Sequence, residues 1–122
     1  MTSNVDGVNM DGRYHHGDLR TALIQAAENL LAERGLEHFS LREVARRAGV
    51  SPAAPKHHFR DTRALLTAIA VRAFDDLATR LEASAQGCPG DRVLRIRAQG
   101  SAYVRFALDE RARFDLMWRT AL

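Results

Sequence analysis

The sequence predicts an all-α fold, and three observations carry that prediction. Apolar residues recur at the three-and-four spacing of a helix in every long segment. No segment alternates apolar and polar residues as a half-buried strand does, and no internal repeat is present. Residues 40–59, SLREVARRAGVSPAAPKHHF, read as two short helices joined by a tight turn.

Taken in order, residues 1–12 are polar, rich in Gly, Asn and Asp, and without periodicity, so they are expected to be a disordered tail. Arg13, His15, His16 and Arg20 then make a basic cluster around Tyr14. It fits either a solvated lead-in to a helix or an arm that touches DNA phosphates or a minor groove. Asp18 suits the first turn of the first long helix. Leu19, Leu23, Ala26, Ala27, Leu30 and Leu31 form its apolar stripe, Gly35 ends it, and Leu36 and Phe39 are expected to plug the core beyond it. Ser40 with Glu43 three residues later is the pattern of a capping box. Leu41, Val44, Ala45 and Ala48 share one face of the second helix, over 41–48. Gly49 fits the left-handed position that stops such a helix, and Val50 can return to the core. Ser51 is read as the cap of a third helix, over about 52–58, with Pro52 at its first position.

Asp61 or Thr62 caps a fourth helix. Its apolar residues Leu65, Leu66, Ile69, Ala70, Ala73, Phe74, Leu77 and Leu81 recur to about Gln86, some six turns. That outruns a three-helix headpiece, so it is expected to bridge to a second domain. Gly87, Pro89 and Gly90 break it; Asp91 opens a fifth helix to about Leu108, and a sixth begins near Glu110. The apolar residues of the last three helices are too many for the headpiece and need further partners. The expected domains are therefore a tail over 1–12, a helix-turn-helix domain over 13–60 that takes in the start of the fourth helix to about residue 80, and the first part of a helical regulatory domain over 61–122.

Composition narrows the function classes. Hydrophobic content of 46% and charge of 27% are those of an ordinary globular protein. No apolar run approaches the ~18 residues of a membrane span, and the N-terminus lacks an apolar signal core. Cys88 is the single cysteine, so no internal disulfide is possible, and a cytoplasmic location is expected. Residues 1–60 carry 8 Lys or Arg against 7 Asp or Glu, and residues 61–122 carry 10 against 8, so bulk charge makes no case for nucleic-acid binding. His15-His16 and His57-His58 do not make a metal site, because adjacent residues point to different faces of a helix and no acid or cysteine completes a set. No Gly-rich phosphate loop and no nucleophile pattern is visible, so neither a cofactor nor an enzymatic activity is expected.

A helix-turn-helix reads DNA with the N-terminal residues of its second helix. Here these are Ser51, Pro52, Ala53 and Ala54, followed by Lys56, the only lysine beside 17 arginines, and His57. Ala53 and Ala54 can approach closely and touch a thymine methyl; Lys56 can reach a guanine edge or a phosphate, or can be an ordinary solvated side chain. Ser40 and Arg42 open the preceding helix, whose free N–H groups favour an anion. Arg46 and Arg47 fit either phosphate contact or a solvated face. Pro55 removes the bond to the Ser51 carbonyl and is expected to tighten or distort the helix without breaking it.

The segment SLREVARRAGVSPAAPKHHF followed by DTRALL, with HGDLRTALIQAAENLLAERG before it, resembles the DNA-binding domain of the TetR/AcrR family of bacterial transcriptional regulators over about residues 14–80. The AAP run, YHHGDLR and Tyr103–Leu108 resemble the subgroup with the Trp-His-Gly C-terminal domain, although Trp118 here is followed by Arg119. The resemblance implies a homodimeric DNA-binding transcription regulator, usually a repressor of a palindromic double-stranded operator. A second helical domain would bind a small-molecule effector and carry the dimer contact. It also implies that His58 contacts the backbone or packs and that Phe59 is core. Lys56 stands where tyrosine is usual and Thr62 where a backbone-gripping lysine is usual, so Thr62 is left as a neutral phosphate contact. Family members are longer, and this chain is expected to lack the last helices, as a fragment or a shortened gene product. The alternative function is a helical interaction module without specific DNA binding of its own. Candidate effector-pocket residues are Phe74, Tyr103, Phe106, Phe114, Met117 and Trp118, each of which also fits ordinary core packing.

Overall fold

The computed structural model describes the backbone of residues 2–119 and the side chains of residues 18–119. Five α-helices follow one another: α1 (Thr2–Arg34), α2 (Leu41–Ala48), α3 (Thr62–Gln86), α4 (Arg92–Asp109) and α5 (Arg111–Met117). One 3-10 turn, Leu36–His38, precedes α2 and another, Ala54–His57, follows it. No strand occurs among the described residues. The all-α prediction holds. α1 begins at Thr2 and so takes in residues 2–12 of the polar N-terminal stretch.

The chain divides into two compact units, Met1–Leu65 and Leu66–Leu122. The division falls inside α3, a few residues later than the 60/61 boundary expected from the turn, because Asp61 and the fully buried Leu65 belong with the first unit.

In the first unit the expected stripe of α1 is buried at Leu23, Ala26, Ala27, Leu30 and Leu31, whereas Leu19 is only half-buried. Ile24, which the stripe omitted, is also buried. A helix face that packs against several partners is wider than one row, which admits the residue next to Leu23. Gly35 ends α1 at φ 77°, donating its N–H to the Leu31 carbonyl at 2.9 Å. Val44 and Ala45 are the buried residues of α2, and Phe59 is buried as expected. Arg47 ties α2 to α1 through a 2.7 Å bond to Glu33.

In the second unit Asp91 caps α4 by accepting the Leu94 N–H at 3.0 Å, as the sequence predicts. Ala73, Leu77, Phe106 and Met117 form a buried cluster, with Leu81 and Phe114 packed on it. Two guanidinium groups lie against the Phe106 ring, Arg80 at 5.1 Å and Arg113 at 5.6 Å from its centre. These cations are not isolated. Asp76 accepts from Arg80 at 3.0 Å and from Arg113 at 2.8 Å, and Arg113 also bonds Glu110 at 3.1 Å. Burial works against the charged form of Asp76, but the hydrogen bonds from Arg113 and Arg80 outweigh it and hold its pKa below the ordinary value. α4 keeps Val93, Ile96, Val104 and Leu108 exposed, the last at 71%.

Candidate nucleic-acid interface

The interface is built from two helix starts and the turn between them. Ser40 is extended at φ −151°, and its Oγ accepts the Glu43 N–H at 3.2 Å. That is half of the expected capping box. The Glu43 carboxylate is drawn instead to Arg46, whose Nε donates at 2.9 Å, and to Arg47 at 3.4 Å. A charge-assisted bond to guanidinium is stronger than one to a neutral backbone N–H, so the arginines win the carboxylate. The Arg46 hydrogen bond is the main cause that lowers the Glu43 pKa to about 2. Arg46 and Arg47 are thus engaged within the domain. Arg42, at the start of α2, is exposed and has no ion pair among the described residues.

The turn after α2 is a Schellman motif. Gly49 is left-handed at φ 74°, its N–H donates to Arg46 O at 3.1 Å, and the Val50 N–H donates to Ala45 O at 3.0 Å. Val50 is half-buried, consistent with its expected return to the core.

The third helical element is shorter than the helix expected over 52–58, and it is tightened as expected of Pro55: it is the 3-10 turn Ala54–His57. Pro55 accounts for the difference. It has no N–H to give the Ser51 carbonyl, which accepts instead from Ala54 at 3.0 Å, one residue closer. Lys56 N–H then reaches Ala53 O at 3.2 Å, and His58 N–H reaches Pro55 O at 3.0 Å. The expected cap at Ser51 is not formed, because the cap position moves to Ala53, which has no side-chain acceptor. Pro55 itself is less than 2% exposed.

Among the candidate contact residues, Ser40, Arg42, Ser51, Pro52, Ala53, Lys56 and His57 are exposed, and Ala54, His58 and Thr62 are half-buried. All ten are therefore at least partly open to solvent. The His58 ring lies 6.4 Å from that of the buried Phe59, on which the Arg20 guanidinium also sits at 5.1 Å. Asp61, not Thr62, caps α3, accepting the Ala64 N–H at 2.9 Å, so the Thr62 hydroxyl is spared that role. The side chains of Arg13 and Tyr14 lie outside the described residues. Sequence reading overlooked Arg60, whose side chain is 89% exposed directly after Phe59 and 3.8 Å from Asp61. Its signal was a cation next to a core aromatic at the end of the turn.

The six effector-pocket candidates lie in the second unit, mostly in mutual contact. Phe74 and Trp118 meet edge-to-face at 5.5 Å, Tyr103 and Phe114 at 5.6 Å, and Phe114 and Trp118 at 6.0 Å. Phe106 and Met117 are buried in the core cluster. A groove of about 730 Å³ runs along α4 beside Arg97, Gly100, Val104 and Leu108, and none of the six candidates lines it.

Residues 23–69 match the model of the family described as bacterial regulatory proteins, tetR family. A search of curated proteins found no match. A solved structure from Rhodococcus sp. RHA1, described as a protein with unknown function, is 45% identical with a TM-score of 0.77, covering 86% of this chain and 54% of that one. A TetR family transcription regulator from Marinobacter aquaeolei VT8 is 24% identical with a TM-score of 0.68, covering 86% of this chain and 55% of that one, and it shares the fold. The chain spans about half the length of these solved structures. The matched residues take in the last third of α1, the capped α2, the Schellman turn, the 3-10 turn Ala54–His57 and the start of α3, so this region of the chain is similar to the tetR family of bacterial regulatory proteins.

Proposed function

We propose that the chain is a ligand-responsive repressor that binds a palindromic operator as a homodimer through the 40–62 surface. The observation that carries this reading is the turn geometry: Pro55 and Phe59 are anchored in the core while Lys56 and His57 stand out in solvent beside Ala53. In this reading Lys56 takes a base edge or a phosphate, and Ser40, Arg42 and Thr62 hold phosphates at the starts of α2 and α3. Ser51, Pro52, Ala53 and Ala54 form the close approach, with His57 and His58 beside them. The aromatic group of Phe74, Tyr103, Phe114 and Trp118, backed by Phe106 and Met117, is the proposed effector contact. Two copies would engage half-sites about one DNA turn apart.

The test is fluorescence anisotropy of the chain, and of a longer relative, against DNA upstream of its own gene across a salt series. Lys56→Ala is expected to lower affinity. A phosphate role lowers the salt slope by about one unit, whereas a base role relaxes specificity at one position. Unchanged affinity and slope would discard both. One observation favours a second reading, a helical interaction module: the exposed apolar residues of α4 suit pairing with another protein. A sizing measurement separates the two, since a monomer loses the gain from binding two half-sites.

A further inference from the structure

From the geometry of the turn after α2, we infer that Pro55 is a positioning residue for DNA reading: it locks Ala53 and Lys56 onto one edge of a 3-10 turn so that they face the duplex together. The inference rests on the DNA-reading role of Lys56 and adds what aims it.

Three properties of Pro55 act at once. Its ring is buried, so the turn cannot rotate about its own axis without exposing apolar surface. Its nitrogen carries no hydrogen, so the bond that would wind residues 51–55 into an α-helix cannot form. Its carbonyl accepts two N–H groups, His58 at 3.0 Å and Phe59 at 2.8 Å, which fastens the far end of the turn to the chain entering the core.

The consequence is angular. In a 3-10 helix, side chains three residues apart eclipse, at about 2.0 Å rise per residue. In an α-helix, three residues turn short of a full circle by roughly 60°, at about 1.5 Å each. With the 3-10 geometry the turn has three edges: Pro55 and His58 inward, Ala54 and His57 at the side, and Ala53 and Lys56 outward. Exposure marks the inward edge, since Pro55 is buried and His58 half-buried while Ala53, Lys56 and His57 are exposed. An α-helical turn would swing Lys56 away from Ala53 by that ~60°, parting a small residue that allows close approach from the only lysine in the chain.

The test is a double-mutant cycle on the full chain, using a site it selects from random-sequence DNA. Pro55→Val keeps apolar bulk in the core and restores the N–H. In the wild-type background Lys56→Ala is expected to weaken the selected site about tenfold, as one good contact does. In the Pro55→Val background the same change is expected to cost less than about twofold, and the selected sequence relaxes where Lys56 reads, while binding to unrelated DNA holds. A purely structural proline would lower Tm yet leave the selected sequence and the tenfold Lys56 effect intact, and that result overturns the inference. Pro55→Ala keeps the test open if Pro55→Val does not fold, because it also restores the N–H that lets residues 51–55 wind into an α-helix; a full tenfold cost of Lys56→Ala in that background overturns the inference. If the wild-type chain selects no sequence, the DNA-reading role of Lys56 falls and the inference falls with it. Unchanged selection by Pro55→Val removes the inference alone.

Discussion

Gly49→Ala isolates the energetics of the turn between α2 and the candidate DNA contacts. Gly49 sits at φ 74°, and a Cβ built there meets nothing within 4 Å. The substitution therefore introduces no clash, and its cost is that of holding an L-residue in the left-handed region, about 1–2 kcal/mol. If the alanine escapes to negative φ instead, both Schellman bonds are lost, from Gly49 N–H to Arg46 O and from Val50 N–H to Ala45 O. Either route destabilises, and the smaller loss sets the value, so about 1 kcal/mol is expected. For a unit of this size that is a fall in Tm of about 4–8 °C. Gly49→Asn should lose only part of this, because asparagine enters the left-handed region more readily. Thermal and urea unfolding followed by circular dichroism would measure both. Alanine and asparagine variants of equal stability, or an alanine variant as stable as wild type, would show that the backbone conformation at Gly49 does not limit the stability of the turn.

Three further outcomes are expected. Glu43 has a folded pKa near 2, below its ordinary value of 4.5, so its ion pairs contribute fully above about pH 4.5 and fade as pH falls toward 2; melting temperature should drop across that window, and Glu43→Gln should flatten the drop. Phe106→Ala removes a fully buried ring that packs against Arg80 and Arg113, and should cost about 3–5 kcal/mol in urea unfolding; a loss below about 1 kcal/mol would contradict its place in the core. Ser40→Ala should cost about 1 kcal/mol by removing the cap of α2, while Ser40→Asp keeps the cap and repels phosphate; stability held by aspartate with affinity for DNA lowered would separate the two roles in one pair of variants.

Where sequence reading succeeded, the information was local. The Ser40 and Asp91 caps, the stops at Gly35 and Gly49 and the α1 stripe each depend on residues within about one or two turns, and those relations are written in the spacing. Where it failed, a distant or competing partner decided. Glu43 fits a capping box by position, but Arg46 and Arg47 take its carboxylate. Ser51 is a good cap by type, but Pro55 four residues later moves the start of the turn past it. The candidate interface was legible as a set of residues, while its shape was not. Whether Lys56 follows an α-helical or a 3-10 path depends on where the Pro55 ring finds its burial.

The sequence by itself determined that the chain is helical, where α2, α3 and α4 start and stop, and which turn presents the candidate DNA contacts, because caps, glycines and periodicity act over a few residues. Only the tertiary structure decided that the Pro55 ring behind the 3-10 turn is buried, and that Arg80 and Arg113 both lie against Phe106 while sharing Asp76. Only it could show that the aromatic residues of the second unit meet edge to face. Arg113 is 37 positions from Asp76, and no local rule pairs them. Their meeting follows from how apolar faces pack, and packing selects among polar partners that the sequence leaves equally available.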